Sequence, residues 1–60
     1  MRFSGQKLNG EEVEMYGDID EIRLFCKKNI RNYECGVIFD DNDKAVWIFY
    51  RKFGIKWERV

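Results

Sequence analysis

The chain predicts an α+β fold of order ββαβββ, a small single domain in which one amphipathic helix packs on one face of an antiparallel sheet. Three observations carry this: Asn9-Gly10 between two strand-like stretches, a helical-period apolar stripe after Gly17, and a period of two from Glu34 onward. A ββαββ grasp-like arrangement is the alternative, because an N-terminal hairpin, one helix and a C-terminal hairpin are common to both. Pairing separates them, since the grasp-like form sets the first strand parallel to a C-terminal strand.

The first two strands are predicted at 2–8 and 11–16. Asn-Gly is a strong hairpin signal because both residues tolerate positive φ. A two-residue turn pairs Leu8 with Glu11, Lys7 with Glu12 and Gln6 with Val13, which brings one opposite-charge pair into register. Gly5 weakens the first strand.

Gly17 ends that pattern, and a helix is predicted from Asp18 to about Asn32. Asp18 caps it, with Glu21 three positions on completing a capping-box spacing. At 100° per residue, Ile19, Ile22, Cys26, Ile30 and Tyr33 fall within an arc of roughly 80°, so a narrow stripe faces the core. Asp18, Asp20 and Glu21 lie at the positive end of the helix dipole, and Lys27, Lys28 and Arg31 toward its negative end. Leu24 points away from the stripe and is expected exposed, with Phe25 on the flank.

Three further strands are expected at 34–40, 44–52 and 55–60, all rich in Val, Ile, Phe, Tyr and Trp. Asp41-Asn42-Asp43 makes the first turn, so Asp40 pairs with Lys44, Phe39 with Ala45, Val37 with Trp47 and Cys35 with Phe49. Lys52-Phe53-Gly54 suits a three-residue loop that sets Phe49 opposite Trp57. One face then holds Cys35, Val37, Phe39, Ala45, Trp47, Phe49, Ile55 and Trp57, and is assigned to the helix. The other holds Ile38, Val46, Ile48, Tyr50 and Val60 beside Gly36, Lys56 and Glu58, too apolar for a solvated side. Either the N-terminal hairpin folds over it to make a small barrel, the favoured expectation, or it meets another molecule.

Composition sets the remaining bounds. Sixty residues with 11 Lys+Arg, 11 Asp+Glu and 45% hydrophobic content make one domain with a single small core, and ten aromatic residues supply much of its buried area. No apolar run reaches the roughly 20 residues that span a bilayer, and Met1-Arg2-Phe3-Ser4-Gly5 lacks the apolar centre of a signal peptide, so a cytoplasmic protein without a membrane partner is expected. Cys26 and Cys35 are expected as free thiols. Two thiols without a histidine do not complete a zinc site.

Catalysis finds few candidates: no His, two Cys, and Ser4 as the only Ser or Thr. The five glycines are scattered rather than gathered into a phosphate loop, and Asp40, Asp41 and Asp43 lack the length and the downstream Glu of a calcium loop. No enzymatic activity, cofactor or metal is expected.

A small protein-binding or regulatory module is the leading expectation. Its partner, another protein or a second copy in a homodimer, would meet the face of Ile38, Val46, Ile48 and Tyr50 or the helix edge of Leu24 and Phe25. The stretch from Glu11 to Glu21 holds six carboxylates and no base, a surface suited to a basic partner in the manner of small inhibitors encoded by phages and mobile elements; that comparison rests on size and charge alone. The alternative is a single-stranded nucleic-acid-binding module built on the basic, aromatic C-terminal strands, using Lys44, Arg51, Lys52, Phe53, Lys56 and Arg59. Against it, residues 1–43 carry ten acids and six bases, which repel phosphate from much of the surface.

Overall fold

In the computed structural model, which describes every residue except Ile55, the chain runs β1 (Arg2–Lys7), β2 (Glu12–Tyr16), α1 (Ile19–Asn29), a 3-10 turn (Ile30–Asn32), β3 (Tyr33–Phe39), β4 (Ala45–Tyr50), a second 3-10 turn (Arg51–Phe53) and β5 (Glu58–Arg59). The strands form one sheet in the order β2-β1-β3-β4-β5, and every pairing is antiparallel. The ββαβββ order therefore holds. The grasp-like alternative fails because β1 pairs antiparallel with β3.

The first hairpin is one residue longer in its loop than expected. The Lys7 amide donates to the Glu11 carbonyl at 2.8 Å, and the Gly10 amide to the Lys7 carbonyl at 2.9 Å, so Leu8-Asn9-Gly10 is the loop. Asn9 Oδ1 accepts from the Glu11 amide at 2.9 Å, and Gly10 takes φ +92°, which a side chain rarely allows. Gln6 consequently faces Glu12 and Gly5 faces Val13, one step from the predicted register, and Lys7 reaches Glu11 at 3.9 Å rather than Glu12.

The helix starts as its sequence requires. The Asp18 side chain accepts from the Glu21 amide at 2.9 Å while Glu21 Oε1 accepts from the Asp18 amide at 3.3 Å, a complete capping box. Ile22 and Cys26 are buried, Ile19 and Ile30 half-buried, and Leu24 exposed, as the stripe implies. The last turn tightens to 3-10 before Tyr33 enters β3.

Two β-bulges decide which residues meet the helix. Gln6 faces Cys35 but Lys7 faces Tyr33, so Glu34 is left over and Tyr33 turns onto the helix side. In the β3–β4 hairpin Phe39 does pair with Ala45, yet Ile38 pairs with Trp47, so Val46 is the extra residue. A one-residue slip exchanges the faces of a strand. Beyond Val46, Ile38 and Gly36 face the helix with Trp47 and Phe49, while Cys35, Val37 and Phe39 lie on the opposite side. This corrects their assignment to the helix-covered face. The expected place of Ile55 lies outside the described residues.

The core is Phe3, Ile22, Cys26, Tyr33, Ile38 and Phe49, with Trp47 and Trp57 packed against it at half-burial. Phe3 meets Tyr33 edge-on at 5.5 Å and Trp57 at 6.2 Å, and the Phe49 and Trp57 rings lie 5.6 Å apart, as the predicted C-terminal register asks. Gly54 ends the loop with φ +114°.

Candidate functional site

A single eleven-residue helix does not cover five strands, and the uncovered surfaces are the candidates. The N-terminal hairpin does not fold over the sheet; β1 inserts beside β3 and β2 extends the same layer, which overturns the barrel-like expectation. The face opposite α1 is therefore open.

The open face is divided in character. Its β1–β2 half carries Arg2, Ser4, Gln6, Glu12 and Glu14, with the exposed Tyr16 beside Arg2 and donating its hydroxyl to Glu14. Arg2 is fixed there: its Nη2 reaches Asp43 at 2.7 Å, its Nη1 reaches Glu14 at 3.0 Å, and its guanidinium lies 4.1 Å from the centre of the Phe39 ring. Asp43 first, then Glu14, hold it more firmly protonated than usual. The β3–β4 half is apolar, with Val37 facing Ile48 and Cys35 facing Tyr50 across the ladder. Ile48 is 41% and Tyr50 43% exposed, and Phe53, at 80%, sets its ring 5.5 Å from that of Tyr50. A shallow depression of about 110 Å³ lies between these three side chains and Lys56 and Glu58.

Of the predicted protein contacts, Ile48 and Tyr50 stand on this open face. Ile38 does not: it is 5% exposed under the helix, because the Val46 bulge turns it inward, so it is a core residue and no contact for a partner. Val46 is half-buried and packs against the core. On the helix edge Leu24 is exposed, whereas Phe25 is half-buried against Phe3 at 5.5 Å and Tyr33 at 6.1 Å. The two therefore do not make one patch.

The predicted nucleic-acid residues scatter similarly. Lys44 lies in the β3–β4 turn, Lys52 and Lys56 are exposed beside Phe53, and Arg59 sits over the Trp47 ring at 5.6 Å on the helix side. Arg51 is committed to the fold. Its Nε donates to the Tyr33 carbonyl at 3.1 Å and its Nη2 to the Arg31 carbonyl, tying the end of β4 to the start of β3.

A second surface was not legible as a site. Between α1 and the β4–β5 side of the sheet runs a groove of about 540 Å³. Trp47, Trp57 and Ile38 line it from the sheet, and Ile19, Cys26 and Ile30 from the helical segment. Arg23, Lys27 and Arg31 complete its lining, spaced four residues apart so that they project on one side of the helix. That spacing is a sequence signal, but it reads equally as a solvated face until the neighbouring strands are placed.

No cluster of three or more His, Cys, Asp or Glu side chains that could hold a metal occurs among the described residues. Cys26 and Cys35 are free, and burial raises the Cys26 thiol to about 11, which keeps it protonated and unreactive. No described helix is long and apolar enough to cross a membrane. The chain matches no family model, no curated protein and no solved structure.

Proposed function

We propose that this chain is a small non-catalytic protein-binding module acting through the β3–β4 half of its open sheet face. The supporting observation is the side-by-side exposure of Ile48 and Tyr50, extended by Phe53, on a sheet face with no second layer. Water contact along such a patch is unfavourable, and an aromatic-rich apolar centre with a charged margin is how protein interfaces are composed. The margin here is Arg2 with Glu12 and Glu14 on one side and Lys56 with Glu58 on the other. A second copy stacking face to face about a two-fold axis is the simplest partner. A regulatory or inhibitor-type role, in a phage or mobile element, fits a module of this size that works by occupying a surface.

Sedimentation equilibrium and affinity capture from host lysate, with and without nuclease, test this on the wild type, Ile48→Asp and Leu24→Asp. The expected result is self-association or nuclease-resistant capture of a protein that Ile48→Asp abolishes, by placing an unpaired charge in a desolvated contact, and Leu24→Asp preserves.

One observation favours a second reading. Tyr50 and Phe53 are exposed aromatics beside Lys52 and Lys56, an arrangement suited to stacking single-stranded bases. A monomeric wild type that captures no protein and shifts single-stranded oligonucleotides with a steep salt dependence would replace the first reading with this one.

A further inference from the structure

We propose that the groove between α1 and the β4–β5 side of the sheet binds a medium-chain alkyl carboxylate, its chain on the two tryptophans and its head at the Arg23, Lys27 and Arg31 row. The groove's volume of about 540 Å³ lies within the range of small-ligand sites, and its surface is largely apolar.

Charge fixes the head group of the occupant. No Asp or Glu lines the groove, and none of Arg23, Lys27 and Arg31 forms an ion pair among the described residues. The helix's own acids, Asp20 and Glu21, sit in its first turn, where Glu21 is used in the capping box. Arg23 and Lys27 stand about one turn apart on α1, roughly 6 Å along its axis, with Arg31 following in the 3-10 turn, and unneutralised cations so placed favour an anion that two of them hold together.

Hydrogen-bonding capacity fixes the rest. The polar side-chain groups on the walls are the three cations, two indoles and one thiol, and no side-chain oxygen is among them. Donors therefore dominate. A peptide or a nucleobase entering here would bury N–H groups with no side-chain oxygen to accept them, which costs free energy. A carboxylate only accepts, and an alkyl chain asks for nothing polar. The groove follows the helix from Ile19 to Arg31, so an extended chain fits its long axis better than a compact ring.

This site lies on the opposite side of the sheet from Ile48 and Tyr50 and does not depend on the protein-binding reading. Its readout is built in, because the chain's two tryptophans, Trp47 and Trp57, both line the groove. Titration of the wild type with octanoate, decanoate and dodecanoate below their micellar concentrations is followed by tryptophan fluorescence and by amide chemical shifts. A saturable one-to-one change is expected, tightening about threefold to fourfold per added methylene. The Arg23→Gln/Lys27→Gln double variant, which alters two exposed helix positions and leaves the core intact, is expected to bind at least tenfold more weakly with an unchanged circular dichroism spectrum. Ile48→Asp is expected to bind decanoate as the wild type does. The proposal is overturned if no saturable change occurs, if decyltrimethylammonium binds as well as decanoate, or if the shifted amides lie on the β1–β2 half of the sheet.

Discussion

Gly5 stands opposite Gly36 across the β1–β3 ladder, and the ring of Phe3 lies over the space both leave. A Cβ on Gly5 would sit 2.5 Å from Phe3 Cζ, and one on Gly36 would sit 2.6 Å from Phe3 Cε1. Neither glycine here has a positive φ, so the requirement is room rather than backbone conformation. Two glycines weaken the strands they occupy, and the ring laid across them restores apolar contact at the centre of the sheet.

Gly36→Ala is therefore expected to destabilise the protein by about 1–3 kcal/mol, the range for forcing extra volume into a packed core. Phe3→Leu in the same chain should relieve part of that penalty. Urea unfolding of both single variants and the double variant measures the coupling, and strictly additive losses would show that the ring is not what excludes the methyl group.

Phe49 and Trp47 lie on the same face of β4 but differ in what their removal costs. Phe49 is 1% exposed, so Phe49→Ala is expected to cost about 3–5 kcal/mol and to unfold so small a domain. Trp47 lines the groove and is only half-buried, so Trp47→Ala should cost about 1–3 kcal/mol and leave a cooperative transition. Equal losses for the two would place Trp47 in the core.

The same strands show what the sequence discloses and what it withholds. Asp18 and Glu21 announce their helix because both groups that satisfy its first turn lie within four residues. Trp47 and Phe49 are assignable to the helix face because the alternation of β4 is intact at that end, and Trp57 follows from the three-residue loop that sets it opposite Phe49. The face of β3 was not, since it depends on Val46 being left out of the ladder, and nothing in Ala45-Val46-Trp47 distinguishes a bulge from two paired residues. The choice between a two-residue and a three-residue loop at Asn9-Gly10 is equally close in local terms. The longer loop goes with a 2.9 Å bond from the Leu8 amide to the Asn32 carbonyl, a tertiary contact that no local pattern shows. The groove depends on how much of the sheet α1 leaves bare, which no local pattern encodes.

Cys26 makes stability sensitive to alkaline pH. Burial raises its thiol from 9.0 to about 11, so the folded state keeps a proton that the unfolded state releases. The stabilisation is fully present below pH 9 and is lost as pH rises toward 11. Tyr33, also raised chiefly by burial, acts in the same direction. The urea midpoint should fall across this window, and Cys26→Ala should flatten that slope whatever its effect at neutral pH. An unchanged slope would mean that the thiol is hydrated in the folded protein.

Arg51 separates a structural cation from a ligand-binding one. Its guanidinium donates to the carbonyls of Tyr33 and Arg31, so it closes the junction where the helical segment hands over to β3. Hydrogen bonds from a charged donor are worth about 1.5–3 kcal/mol when the acceptor is left without a substitute, and Arg51→Ala is expected to cost that much. Arg51→Lys should rescue little of it, because a lysine ammonium does not reproduce a planar fork that spans two carbonyls. Lys52→Ala and Lys56→Ala, at exposed positions without such bonds, should stay within about 0.5 kcal/mol of the wild type. Chemical denaturation of the four variants, paired with oligonucleotide titration, distinguishes the roles. If Arg51→Ala keeps the wild-type midpoint and instead weakens oligonucleotide binding, the guanidinium faces phosphate in solution, and the single-stranded nucleic-acid reading gains the residue that the fold here claims.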